Sequence, residues 1–433
     1  MRQPYPSVAS LWAAQAPPAE PARPLATPLQ VDVAIVGGGY SGLSAAHYLI
    51  EQGLKPVVLE ARRVGWGASG RNGGVVSAKF RMPYSAIAQA HGLDTARLMH
   101  RISHDAVDLV ESLIERLGIE TADFRRTGNL SCAHNQRALA RIAADARWQV
   151  DALGDDHLSV VSAERVAEET GSNAFVGGVL ADDVGRLRPL AYARGLADGL
   201  CRSGSDLLFE DTPVERVEQV GQGVRLHTPG GSVQASQVIL ASNGYSGITP
   251  ATDRLRRSVV PFRSAIIATE PLPESLHARL LKHDRSYGET RRMMRWFRKV
   301  DDRFVFGGRG AFGREDSAKA FDALQRAMVG LFPDLAGVAV DYRWSGHVAM
   351  TLDKFPHVGR LDDRTTTCVG YNGAGVALST LLGRHAGACA AGHSPEVGLL
   401  AAERLKRIPF YPLRELGIRS VAGWYQLLDA VGL

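Results

Sequence analysis

The hydrophobic pattern changes period several times along the chain, and each change marks an element. The apolar run Val33–Val36 ends in glycines, and a small-residue stretch, Leu43–Ile50, follows at helical spacing. That order predicts strand, tight turn and helix. Pro56–Leu59 is a second apolar strand. Leu98, Ile102, Leu109, Leu113 and Leu117 predict a core-facing helix over residues 95–117, and residues 137–153 predict another. Pro189 opens another helix and Gly204 closes it. The short runs Leu207–Phe209, Val214–Val220, Val224–Thr228 and Ser232–Val233 predict a strand and a small antiparallel meander. A further apolar strand in QVILASNGYSG runs into Ala241, Ser242 and Gly244.

From about residue 255 to 345 the pattern becomes alternating. Val259–Thr269, Met293–Val300 and Arg303–Gly308 read as strands around a helix near Ala318–Leu331, a separate antiparallel domain. Residues 344–386 return to dense small residues, where the strand Thr367–Val369 runs into Gly370, Gly373 and Gly375 and then a helix. Proline density over residues 1–30 prevents regular structure and predicts an extended arm, with Tyr5 and Trp12 anchored on the body. The basic tail ends in an amphipathic run, Val421–Val431, read as a helix docked on the body.

Composition is that of a globular protein: 433 residues, 45% hydrophobic and 22% charged. The net charge of +5 comes from arginines spread along the chain, so no nucleic-acid partner is expected. Cys132, Cys201, Cys368 and Cys389 form no C-x-x-C pair, which removes zinc-finger and dithiol readings and suits a reducing cytoplasm. No secretory signal is expected before Ala26, and no apolar run is long enough to span a bilayer, so membrane association is not expected.

Gly37, Gly39 and Gly42 fall on a G-x-G-x-x-G template between the first strand and helix, and Glu60 ends the next strand about 20 residues on. Such glycines permit the turn, the approach of a pyrophosphate and the packing of helix on strand. Phosphates then meet N–H groups at the helix start, while the acid binds ribose hydroxyls. The loop GASGRNGG at 67–74 follows, flexible enough to wrap a ligand closely. A second match, Gly308, Gly310 and Gly313, lacks the following helix and acid and is discounted. His100 and His104 are four apart, but Arg101, Asp105 and Asp108 beside them indicate a solvated face, and no metal is expected.

The opening strand–helix–strand unit, GASGRNGG and the distant GYNGAGV at 370–376 resemble the FAD-dependent D-amino-acid oxidase superfamily. WSGHVAMTLDKFPHVG and the IPFYPLR tail extend the likeness over nearly the whole chain, which is most similar to the gamma-glutamylputrescine oxidase-like amine oxidoreductases. The resemblance implies an α/β plus α+β architecture: a Rossmann-like FAD-binding domain from residues 31–90, 150–250 and 345–395. Between these lie a helical segment at 91–149 and a mainly antiparallel substrate domain at 251–344, with an arm at 1–30 and a tail at 396–433. It implies a cofactor-binding set that starts with Gly37, Gly39, Tyr40, Ser41 and Gly42, then Glu60, Ala61 and Arg62. The loop adds Gly67, Ala68, Ser69, Arg71, Asn72, Gly73 and Gly74; Val214, Ala241 and Ser242 follow. Gly346, Gly373, Ala374, Gly375 and Val376 complete the set, with Gly373, Gly375 and Val376 at the flavin pyrimidine edge, where a helix N-terminus would stabilise charge on the reduced ring.

Two departures stand out. Relatives often carry His or Arg where this chain has Ala374, and neither a cysteine in Gly346–Asp353 nor a histidine in GASGRNGG is present to attach flavin, so noncovalent FAD is expected. The implied reaction oxidises the C–N bond of an amine or amino acid, with a gamma-glutamylated amine as a candidate. Hydride passes to flavin N5 and water hydrolyses the imine; oxygen or a quinone is the electron acceptor. His347, Tyr371 and Trp344 are the expected pocket residues, with Arg298 as a carboxylate anchor because its fork suits a carboxylate. An NAD-dependent dehydrogenase would leave GASGRNGG and the late glycine turn without roles; a non-catalytic dinucleotide-binding module would bind flavin that no amine bleaches.

Overall fold

The computed structural model describes residues 9–309 and 317–414, with Gly417, Ser420, Gly423 and Trp424 beyond them. Tyr5, Gly310 and Gly313, and all of the run Val421–Val431 except Gly423 and Trp424, lie outside the described residues. Two large sheets organise the chain.

In the first sheet, Leu29–Val36 lies between Gly231–Leu240 and Pro56–Leu59, parallel to both. Leu208–Phe209 extends one side; Thr365–Val369 and then His357–Arg360 extend the other. These strands read as apolar runs because both faces are covered. Helices Tyr40–Glu51, Leu93–Leu117, Pro189–Ser203 and Gly375–Ala390 contribute to the core on one face. The hairpin Arg216–Val220/Gly223–Thr228 folds over the other face. Ser232–Val233 and the QVIL segment, expected as two strands, are one ten-residue strand, Gly231–Leu240. The parallel strands all end toward the same edge, in Gly37, Glu60, Ala241 and Gly370. Ligand crevices of open α/β sheets form there.

The second sheet runs Val340–Met350, Val260–Thr269, Arg303–Arg309, Arg295–Val300, Ser286–Glu289, Asn129–Cys132, Gly178–Ala181, Leu158–Val161. It is antiparallel except between Ser286–Glu289 and Asn129–Cys132. Helix Ala318–Leu331 packs on it over an aromatic cluster in which Phe297 stacks on Tyr287, Phe304 and Phe306. The last three strands correct the boundaries expected from the sequence, which put Asn129–Cys132 in a helical segment and the other two with the first sheet. Each has only four residues, too few to show a period; Asn129–Cys132 joins the sheet by pairing with Ser286–Glu289, and the other two are added by pairing outward from it.

The arm is not wholly extended. Ser10 caps a short helix, Leu11–Gln15, by accepting from the Ala13 N–H. Trp12 is 2% exposed and sits edge-on to Trp344 in a small core between the sheets.

Candidate active site

At the first bend Gly37 has φ +113°, a conformation that costs glycine little. A Cβ there would lie 3.0 Å from the Ala241 carbonyl oxygen, and one on Gly42 would collide with the Gly37 carbonyl. The helix Tyr40–Glu51 therefore rests directly on the turn. Glu60 ties the second strand to this bend: Oε2 accepts from the Gly38 N–H at 2.7 Å and Oε1 from the Arg62 N–H at 2.9 Å. Burial pushes the Glu60 carboxyl up, opposed by these two N–H groups, which favour the carboxylate.

The loop at 67–74 is held by its own side chains. Ser69 Oγ accepts from the Tyr40 N–H at 3.1 Å. Asn72 donates from Nδ2 to the Ala68 and Ser69 carbonyls, both at 3.1 Å, and accepts from the Gly74 N–H at 2.8 Å. Two indoles secure the loop backbone: Trp12 Nε1 donates to the Asn72 carbonyl at 2.8 Å and Trp344 Nε1 to that of Arg71 at 2.9 Å. Arg71 donates back to the Trp66 carbonyl at 2.6 Å, its guanidinium 4.6 Å from the centre of the Trp66 ring.

The late glycine bend joins the other two. Asn372 and Gly373 both have positive φ, +55° and +101°. The Asn372 amide accepts from the Thr351 N–H at 2.9 Å and donates to the Gly370 carbonyl at 2.6 Å. Tyr371 Oη lies 2.5 Å from Ser41 Oγ in the first helix. Burial raises the Tyr371 phenol well above its usual range, so the ring stays neutral. Gly383 brings helix Gly375–Ala390 against the Ser41 backbone, where a Cβ would collide. Neither helix Tyr40–Glu51 nor Gly375–Ala390 has a side-chain cap at its N-terminus, whereas Ser10, Asn135, Ser162 and Ser317 cap other helices.

These parts surround one cavity of about 370 Å³. All three bends reach it. Of the expected cofactor residues, Gly37, Gly39, Tyr40, Ser41, Glu60 and Ala61 line one end; Gly67, Ala68, Ser69, Arg71, Asn72 and Gly73 line the loop side. Val214, Ala241, Ser242, Gly346, Gly373, Gly375 and Val376 complete the lining. Gly42, Arg62, Gly74 and Ala374 are absent from it: Gly42 faces the turn, Arg62 lies over the Trp66 ring, Gly74 abuts Leu187, and Ala374 stands at the start of the last helix.

His347 and Tyr371 line the cavity, but two other expected pocket residues do not. Trp344 is 1% exposed, its ring against Trp12 and its N–H on the Arg71 carbonyl. Arg298 is 2% exposed, and its Nη1 donates to the carbonyls of Gly73, Gly74 and Leu187. Burial lowers its pKa to about 9. Both brace the loop from behind, which corrects their expected role: their donors are spent on backbone carbonyls that the loop cannot otherwise satisfy.

Sequence reasoning missed the wall from the second sheet: Tyr287, Glu289, Met294 and Trp296, with Tyr245 from a short turn after the first sheet. Trp296 lies so close over Gly73 and Gly307 that a Cβ on Gly73 would strike its ring, so these glycines carried a usable signal. Tyr245 accepts no comparable sequence marker; its hydroxyl takes the His347 N–H at 3.2 Å and its ring stands 5.1 Å from the imidazole. Glu289 is buried and ion-paired with Arg291 and Arg295. The reading of His100 and His104 as solvated is also corrected: both rings are only partly exposed and face Asp155 and Asp183.

A parallel sheet with a glycine turn and a terminal acid, joined to an antiparallel sheet across one cavity, defines a two-sheet dinucleotide-dependent oxidoreductase fold. The chain belongs to the DAO family of FAD dependent oxidoreductases, whose family model matches residues 32–388. It is 31% identical over 428 residues to the gamma-glutamylputrescine oxidoreductase of Escherichia coli (strain K12), covering 98% of this chain and 99% of that one. Among solved structures, glycine oxidase from Geobacillus kaustophilus superposes with a TM-score of 0.71 at 22% identity, covering 88% of this chain and 99% of its own. L-proline dehydrogenase from P. horikoshii gives 0.71 at 17% identity, covering 85% and 95%. Among the described residues no helix is long and apolar enough to cross a membrane.

Proposed function

We propose that the protein oxidises the C–N bond of a small amine or amino acid to an imine, which water hydrolyses, and that a gamma-glutamylated amine is the substrate class to test first. The observation that carries this reading is the meeting of three sequence-distant glycine bends on a cavity that continues onto the second sheet. The gamma-glutamylputrescine oxidoreductase matched along nearly its whole length supports the substrate class.

The residues present fit FAD. Gly37, Gly38 and Gly39 form a cradle without side chains, and the uncapped helix start at Tyr40 offers N–H groups to a pyrophosphate. Each Glu60 oxygen keeps a lone pair for a ribose hydroxyl beside its backbone bond. The second uncapped helix, at Gly375, directs positive dipole into the same cavity and would stabilise negative charge on the reduced ring. With neither cysteine nor histidine at the attachment positions, the cofactor is held noncovalently.

Bound FAD supplies a two-electron acceptor for the hydride on the carbon next to the amine nitrogen. The chain's part is placement and desolvation. Trp296, Tyr287, Met294 and Ile266 present apolar surface to the cavity, and an amine desolvated there loses its proton more readily. His347, its ring tilted against that of Tyr245, lines the same cavity. The Tyr371 hydroxyl is engaged by Ser41, so Tyr371 acts as a brace between bends rather than a substrate contact. The free cysteines fit a cytoplasmic setting.

The test is anaerobic bleaching of the bound flavin by a panel of amines, gamma-glutamyl amines and D- and L-amino acids, followed by readmission of air. Bleaching by a gamma-glutamyl amine supports the reading, and bleaching by no amine or amino acid rejects it. Rapid recovery of colour in air identifies oxygen as acceptor; recovery only with an added quinone identifies a quinone.

A further inference from the structure

A second cluster of chemistry-bearing side chains has no role in the reaction described. His100 and His104 project from one face of helix Leu93–Leu117, four residues apart. Asp155, in the turn after helix Gln136–Leu153, faces both. His100 Nε2 lies 2.9 Å and His104 Nε2 3.8 Å from the same oxygen, Asp155 Oδ2. One ligand atom from each of the three residues falls within 4.8 Å of the others. Asp155 is 5% exposed, so the carboxylate is withheld from bulk water.

We propose that His100, His104 and Asp155 bind a divalent transition-metal ion of the zinc type, with water completing the coordination. Both imidazoles turn a nitrogen toward one carboxylate oxygen. His104 Nδ1 meets Asp183 Oδ2 at 2.8 Å, so that nitrogen carries the proton in the neutral ring. In that tautomer Nε2 directs its lone pair toward the Asp155 carboxylate oxygen 3.8 Å away, where a cation would be held by both. A ligating histidine whose other N–H is held by a carboxylate is the usual way such rings are oriented. Asp155 is itself oriented, since Oδ1 accepts from the backbone N–H of His157 at 3.3 Å. Two imidazoles and a carboxylate, without thiolate, suit zinc, cobalt or nickel rather than a soft copper(I) or a hard magnesium site. Ligand atoms around a tetrahedral ion with bonds of about 2.0–2.1 Å stand roughly 3.4 Å apart, which these side chains reach by small rotations.

The ion would fasten the long helix Leu93–Leu117, which packs in the core of the first sheet, to turns that flank the short strands of the second. Its role is structural, since none of the three ligands lines the cavity.

The flavin-loaded protein, stripped with chelating resin, is titrated with zinc sulfate against a competing indicator. One zinc per chain is expected, with a rise in the thermal unfolding midpoint. Asp155→Asn and His104→Ala are expected to abolish that equivalent, and Asp183→Asn to weaken it about tenfold or more. His157→Ala, at an exposed ring bonded to Asp182, keeps it. No bound zinc in the wild-type protein, or undiminished binding in Asp155→Asn, overturns the proposal. Should the variants fail to fold, zinc-edge X-ray absorption of the wild-type protein decides: two imidazoles with oxygen support the site, and fewer than two imidazoles reject it.

Discussion

Tyr371 Oη and Ser41 Oγ are 2.5 Å apart and 330 residues apart in sequence. That single contact joins the last glycine bend to the helix that follows the first. It also explains why the two N-termini open on the same cavity: the helices meet backbone to backbone where Gly383 lies on Ser41 and Gly387 on Ala45. Tyr371→Phe removes the hydroxyl and leaves buried Ser41 Oγ short of a partner, a cost of about 1–3 kcal/mol. The expected result is a lower midpoint in urea unfolding and weaker retention of FAD on dialysis, with the flavin absorption spectrum otherwise unchanged.

Gly42 has no room for a methyl group, because a Cβ would meet the Gly37 carbonyl. Gly42→Ala must lift the helix off the turn and is expected to yield protein that does not retain FAD. Gly330→Ala, in helix Ala318–Leu331 and away from the cavity, is the matched comparison, since a Cβ there would meet nothing within 4 Å. That variant is expected to stay yellow. Flavin-to-protein absorbance ratios after gel filtration distinguish the two.

Trp12 braces the loop at 67–74 from outside, through its bond to the Asn72 carbonyl and its packing on Trp344. Trp12→Ala opens a cavity in a buried position and is expected to cost about 3–5 kcal/mol of stability. Trp12→Phe keeps most of the packing and loses only the donor. It is expected to fall between wild type and Trp12→Ala in both unfolding midpoint and FAD affinity, measured by flavin fluorescence on reconstitution.

His385, in the last helix, is held by burial and by Arg384 at a pKa of about 4, against 6.5 for the free side chain. Burial likewise lowers His47, whose ring bonds to the Leu196 carbonyl. Between pH 6.5 and about 4 the unfolded chain therefore binds protons that the folded chain refuses, so stability falls as pH drops through that window. His385→Gln is expected to flatten the dependence. Urea midpoints measured from pH 7 to pH 4.5 check this, and parallel curves for variant and wild type count against it.

Local features of the fold were legible; non-local ones were not. Strand, turn and acid at Val33–Glu60 occupy fewer than thirty residues, and their signals are apolar runs and glycines that only such a turn uses well. The alternating strands Val260–Thr269 and Arg303–Arg309 were visible because each is long enough to show its period. Trp344 and Arg298 were misplaced because a large aromatic and a cation near a glycine loop suit a pocket and a brace equally well, and only the direction of their donors separates the two. His100 and His104 were judged by charged neighbours on their own helix, whereas the groups that face them, Asp155 and Asp183, arrive from separate turns. The wall formed by Tyr287, Met294 and Trp296 depends on which sheet edge meets which strand end, and no spacing in the chain records that.

The most direct measurement is the absorption spectrum of the FAD-reconstituted protein before and after anaerobic addition of a gamma-glutamyl amine. One tightly held flavin per chain, bleached by that amine, is the predicted result. Protein that stays colourless after reconstitution, or a bound flavin that no amine or amino acid reduces, would contradict the account.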